Sequence, residues 1–224
     1  MKKFFVIVFF LSCIGFTFAH QPRLVFTQPI GETIQVQDPE ISQAFYGILS
    51  GQEDIYQIVS DTGFLLYVNI LVPELSGSRT DFTVDVIEWN NAVYTRLDGK
   101  AFAWTGFFEP FAGDRYLVWP SLEKQVGPGT YTIRVSNPAN QGKYSLAIGK
   151  LESFPVNEII NTYKALPVLK MVFFEKPRYT ILRNIVGIFL LGSIVIIILM
   201  VFGIIRFVRY INKDRKHWLY KRNK

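Results

Sequence analysis

The chain has 224 residues, half of them hydrophobic, with a single cysteine and only two histidines. That length leaves room for one globular domain together with targeting and anchoring segments. The formal net charge of +6 is split between +2 in the first 19 residues, −3 over residues 20–183 and +7 beyond residue 205. The basic excess is thus that of a membrane-flanking tail, and no nucleic-acid partner is expected.

Residues 1–19 read as a secretory signal: Lys2 and Lys3, an apolar run Phe4 to Gly15, and the small-x-small sequence Thr17-Phe18-Ala19. The rival readings are an uncut signal anchor and lipoprotein processing at Cys13, where the residue three before the cysteine is Phe10 instead of a small aliphatic. Removal of Cys13, the only cysteine, would leave an exported domain without thiol or disulfide, dependent on its core for stability.

From Arg23 to Lys150 short strand patterns alternate with turn residues. Leu24–Phe26, Thr33–Val36, Gln43–Leu49 and Ile55–Val59 come first, and Asp61-Thr62-Gly63 marks a turn. Phe64–Val72 is nearly all apolar, the pattern of a central strand covered on both faces. Thr80–Trp89 alternates, with Phe82, Val84 and Val86 on one side, and Asn90-Asn91 turns it into Ala92–Leu97. Thr130–Val135 and Lys143–Gly149, joined by a polar loop with Gly142, read as a hairpin. Roughly eight to ten strands in about 130 residues, with no helical pattern between them, make an all-β fold, an antiparallel, jelly-roll-like β-sandwich.

The run Gly129–Pro138, GTYTIRVSNP, with Gly142–Ile148, GKYSLAI, resembles the end of bacterial pre-peptidase C-terminal domains, and Ser42–Gln52, SQAFYGILSGQ, is similar to their opening strand. The likeness covers about residues 42–148, well at the ends and poorly in the middle. It implies a compact β-sandwich of the kind appended to secreted enzymes, without catalytic residues of its own. The chain departs from that family in ending with an apolar segment and in carrying no peptidase.

Residues 151–183 form a partly helical neck in which Ile159, Ile160 and Tyr163 can share one helix face. Leu169–Lys176 mixes bulky apolar residues with lysines, and suits either a headgroup-layer segment or a spacer packed on the sandwich. Residues 184–205 contain no charge and, as a helix, would be about 33 Å long against a hydrocarbon core of about 30 Å, so a transmembrane helix is expected. The tail 206–224 brings Arg206, Arg209, Lys213, Arg215 and Lys216 to the membrane surface, where they attract anionic lipid headgroups.

Residues for chemistry are few. A mature amino-terminal His20 could offer copper two nitrogens, but the second histidine, His217, lies beyond the span. Acid residues such as Asp81, Asp85, Glu88, Glu109 and Asp114 suit solvated faces, and no calcium or phosphate loop motif occurs. No catalytic residue, cofactor or metal is therefore assigned, and an enzyme is not expected. The aromatic stretch Trp104–Pro120 is the candidate partner surface, through Trp104, Phe107, Phe108, Tyr116 and Trp119; the alternative is that its aromatics close one end of the core.

These features together describe a single-pass membrane protein. Its sandwich (residues 20–150) lies outside the cytoplasm and its C-terminus inside. The expected function is to bind a protein or glycan partner or to serve as an envelope-complex subunit. The competing expectation is an exported copper-binding protein or enzyme that uses His20.

Overall fold

The structure, a computed structural model, describes residues 20–88, 93–110 and 112–222, with backbone only for 186, 189, 190 and 212–222. The expected signal segment 1–19, Trp89 and the Asn90-Asn91 turn lie outside the described residues.

Twelve strands among the described residues form two sheets. In the first, β1 (Gln21–Leu24), β3 (Gln43–Ser50), β12 (Gln141–Ile148), β5 (Phe64–Pro73), β9 (Asp114–Val118) and β8 (Thr105–Glu109) follow one another, and β10 (Leu122–Val126) also pairs with β5. In the second the order is β2 (Thr33–Val36), β4 (Asp54–Ser60), β11 (Gly129–Ser136), β6 (Thr83–Glu88) and β7 (Val93–Asp98). Successive side chains of a strand point to opposite faces. One face of β5 therefore sends Phe64, Leu66, Val68, Ile70 and Val72 into the space between the sheets, where Val84, Val86, Tyr131, Ile133 and Val135 meet them, all buried. The fold is a β-sandwich with one long C-terminal helix.

Two features differ from the expected all-antiparallel arrangement. β1 and β3 both cross from the first sheet to the second, into β2 and β4, so β1 runs parallel to β3 and β2 parallel to β4. The segments Thr130–Val135 and Lys143–Gly149 are not a hairpin. β11 pairs with β4 and β6 in the second sheet, whereas β12 pairs with β3 and β5 in the first. Tyr131, Ile133 and Val135 on β11, like Tyr144, Leu146 and Ile148 on β12, are buried in the same core. The two strands face each other across the core, and their alternation alone does not distinguish that from side-by-side pairing, since neighbouring strands of one sheet bury the same face. Asn137 closes this crossing: its side-chain nitrogen donates to Gln141 O (2.6 Å), and its oxygen accepts from the N–H groups of Ala139 and Gln141.

The neck folds onto the first sheet. Helix α1 (Val156–Val168) and the π-helical turn Leu169–Phe173 bury Ala165, Leu169, Phe173 and Phe174 against Tyr46, Leu71 and Tyr116 on the outer face of that sheet. Edge-to-face pairs Tyr46–Phe173 (5.0 Å) and Tyr116–Phe174 (5.3 Å) fix the contact. Of the two readings of Leu169–Lys176, the packed spacer is the one found. Ile159 and Ile160 face away from the sheet. A 3-10 segment, Arg178–Arg183, then leads into helix α2 (Ile185–Arg222). Within α2, Leu191–Ile211 has a mean hydropathy of 2.7 and none of it is buried, so this helix is long and apolar enough to cross a membrane.

Candidate functional site

The stretch Trp104–Pro120, which reads as an aromatic loop, is a hairpin of β8 and β9 at the edge of the first sheet. Gly106, Pro110, Gly113 and Pro120 hide the strands in the sequence. Gly113, at φ 70°, makes the turn, and its N–H donates to Glu109 O at 2.9 Å. Phe111 lies outside the described residues.

The five aromatic candidates divide by burial. Trp119 is 2% exposed and sits in the core, edge-on to Trp104 (5.3 Å) and stacked with Phe102 (5.7 Å). Trp104 packs against the same cluster and donates through Nε1 to Gly99 O at 3.0 Å. Tyr116 is buried on the opposite face, its hydroxyl 3.1 Å from that of Tyr46. Phe107 and Phe108 remain, 41% and 52% exposed, on opposite faces of β8. Of the aromatic candidates, Phe107 and Phe108 are exposed and Trp104 is half-buried, whereas Tyr116 and Trp119 are buried.

Sequence reasoning missed a cluster beside the hairpin turn. Asp114, 1% exposed, binds the ammonium of Lys170, itself 1% exposed, and that of Lys176 at 2.9 Å. The carbonyl of Ala112 accepts from Lys170 Nζ and from Asn184 Nδ2, both at 2.6 Å. Asn184 Oδ1 in turn accepts the N–H of Gly187 at 2.9 Å, the bond of a helix N-cap, so one side chain ties the hairpin turn to the start of α2. Burial pushes the Lys170 pKa down, and its bond to Asp114 acts the other way. A lysine inside the apolar run Leu169–Phe174 was the available signal.

A polar cleft of about 480 Å³ opens where the edge strands β1 and β2 of the two sheets diverge, with the start of α1 as its third side. Its floor is a closed network: Arg23 donates to Gln21 Oε1 (2.6 Å), Gln43 Oε1 (3.2 Å) and Glu158 Oε2 (2.7 Å). Gln21 reaches Ser153 O and Gln43 reaches Gln37 O through their amide nitrogens. The walls present exposed Gln28, Gln37, Asp38 and Asn157. Each amide carries both donors and an acceptor, the complement of sugar hydroxyls or peptide groups. No sequence motif announces this cleft, because its glutamines come from four separated segments.

The remaining candidates are scattered. His20 is half-buried at the start of β1 with Nδ1 bonded to Ser42 Oγ, and burial lowers its pKa. Among the described residues no three His, Cys, Asp or Glu side chains converge as metal ligands. Arg206 and Arg209 project from α2, exposed; Lys213, Arg215 and Lys216 lie on its continuing backbone.

No family model matches the chain, and no curated protein matches it. Among solved structures it is similar to a β-glucosidase from Paenibacillus barengoltzii, at 12% identity and a TM-score of 0.25, over 58% of this chain and 13% of the enzyme. It is also similar to the pre-peptidase C-terminal domain of collagenase from Bacillus anthracis, at 13% identity and a TM-score of 0.32, over 55% of this chain and 97% of that domain. The latter is the domain type that residues 42–148 resemble in sequence, at an identity that leaves the architecture to be argued from this chain's own strand pairing.

Proposed function

We propose that this chain is a single-pass membrane protein of the cell envelope. It holds a non-catalytic β-sandwich outside the cytoplasm and keeps its basic C-terminal tail inside. The observation that carries the reading is the helix Leu191–Ile211, free of charge up to Arg206 and unburied, beside a sandwich whose own core is complete. Water would not tolerate such a surface on a folded protein, whereas lipid requires it. The excess of Lys and Arg beyond residue 205 supports the orientation. In right-side-out vesicles, external protease should digest the sandwich and spare the tail. A tail cut from outside, or a chain released intact by alkaline carbonate, would overturn the reading.

The recognition surface in this reading is the amide-lined cleft between β1 and β2. Its size falls in the ordinary range for ligand sites, and its floor is already ordered by Arg23. Its amide donors and acceptors, with the exposed carboxylate of Asp38 beside them, suit a glycan, with an extended peptide of a protein partner as the second choice. Detergent-solubilised full-length protein should bind oligosaccharides on an envelope-glycan array. Gln37→Ala and Asn157→Ala, both exposed, should weaken that binding at least about tenfold with little change in melting temperature. Unaltered binding in both variants would remove the cleft from the site.

A further inference from the structure

The hairpin turn that follows β8 is bonded to Asn184 at the start of α2, and Asn184 says where along the membrane normal that turn lies. Residues 184–205 carry no charge and are flanked by Arg183 and Arg206. At about 1.5 Å per residue they measure about 33 Å, the thickness of the hydrocarbon core, which puts Asn184 at its boundary. Asn184 holds the carbonyl of Ala112 at 2.6 Å, and a side chain added at Gly113 would come within 3.0 Å of Asn184 Cβ. The hairpin turn is therefore at the boundary too, clamped there by Asp114 between Lys170 and Lys176. Phe108 is four residues from Ala112, at most about 13 Å along the strand. The headgroup layer is only about 5–8 Å deep on each side, so a modest tilt of the hairpin brings the ring into it.

We infer that Phe107, Phe108, Arg178, Tyr179, Leu182 and Arg183 form a lipid-binding rim that seats the sandwich on the leaflet it faces. The inference rests on the membrane-anchored reading above and adds that the domain is docked instead of swinging on a tether. Phe107 lies opposite Tyr116 and Phe108 opposite Arg115, so the two rings leave β8 on opposite faces. A protein docking on one face would leave the other ring in water, whereas a headgroup layer surrounds both. Tyr179 and Leu182 are 56% and 46% exposed on the 3-10 segment that enters α2, and Arg183 lies 5.0 Å over the Tyr179 ring. Aromatic rings with flanking arginines are the side chains that favour this layer, the rings among the glycerol groups and the guanidinium groups on lipid phosphates. Residues 176–183 are cationic throughout, with Lys176, Arg178 and Arg183 and no acid.

The test uses the full chain in nanodiscs of phosphatidylcholine with phosphatidylglycerol. On a Cys13→Ala background, single cysteines replace Phe108, Val59 on the exposed face of β4, and Ile197 in the span, each carrying an environment-sensitive nitrobenzoxadiazole label. Doxyl groups placed near the headgroup should quench the label at 108 at least about threefold more than that at 59, and mid-chain doxyl should quench the label at 197. Arg178→Gln with Arg183→Gln should abolish any gain in quenching at 108 from phosphatidylglycerol. A quenched label at 197 with labels at 108 and 59 equally bathed in water overturns the rim while the anchor stands. An unquenched label at 197 overturns the anchored reading itself. Shielding at 108 only in native envelope membranes, and not in pure lipid, assigns the edge to a protein partner and likewise overturns the rim.

Discussion

Gly47 has no side chain because Tyr144 lies where one would be. The two residues are opposite each other in the β3–β12 register, and a Cβ on Gly47 would overlap the tyrosine ring. The ring is held there by its hydroxyl, which donates to half-buried Asp54 Oδ2 at 2.6 Å and lies 2.7 Å from the hydroxyl of buried Tyr56. Gly47→Ala should therefore destabilise by about 1–3 kcal/mol, read from urea unfolding. An unchanged midpoint would mean that the ring moves freely. Asp85 supplies the pH dependence. It is 5% exposed, and Arg96 binds it at 2.7 and 2.9 Å, with Arg134 at 3.5 Å; these bonds hold its carboxyl below the usual carboxylate range. A carboxylate whose folded pKa is depressed contributes stability that is complete above the unfolded value of about 3.9 and is lost as pH falls through the folded value. Asp85→Asn should flatten the acid limb of a stability profile below about pH 4 and lower the plateau above it. An acid limb as steep as that of the unaltered chain would show that other carboxylates carry it.

Among the elements, the β11–β12 crossing and the β8–β10 edge are where local pattern and global pairing part. Asn137 satisfies three backbone groups of the crossing, and Asn140 takes φ 45° beside it. Asn137→Ala leaves those groups half-satisfied, and a loss of about 1–3 kcal/mol is expected by the same unfolding measurement. Trp119 joins β9 to β10 on the edge of β5 and points inward between Trp104 and Phe102. Trp119→Ala should cost about 3–5 kcal/mol, the range for removing a large buried aromatic. If instead the melting temperature held while partner binding fell, the tryptophan would be a binding residue. The strands β8 and β9 were not legible because glycine and proline interrupt them within a dozen residues, and what makes them strands is the edge of β5.

For the molecule as a whole, the decisive junction is Asp114. One buried carboxylate serves two ammonium groups, so its removal leaves Lys170 charged and unpaired next to Phe174, whereas removal of Lys170 leaves Asp114 still paired with Lys176. Unpairing a buried ion costs about 3–5 kcal/mol. Asp114→Asn should accordingly destabilise the full chain in detergent more than Lys170→Met does, and should free the neck to protease near Lys176. The reverse order would place the clamp on Lys170 instead. Because the same turn is bonded to Asn184, this clamp also decides whether the sandwich is a rigid extension of α2 or a separate body.

What the sequence determined by itself was whatever depends on near neighbours. Alternation in Thr130–Val135, apolar continuity in Phe64–Val72 and the charge-free run after Arg183 each specify a strand or a helix long and apolar enough to cross a membrane, because period and solvent preference are properties of a short segment. It did not determine which sheet a strand joins. β11 and β12 carry the same alternation, and only the competition of β4, β6, β3 and β5 for their edges separates them. Nor could it say that Lys170 is buried, that Trp119 faces the core while Phe108 faces out, or that four separated glutamine segments meet in one cleft. Burial and pairing are set by residues that meet across the fold, as far apart in sequence as the 135 positions between Arg23 and Glu158, and that information exists only once the chain has closed on itself.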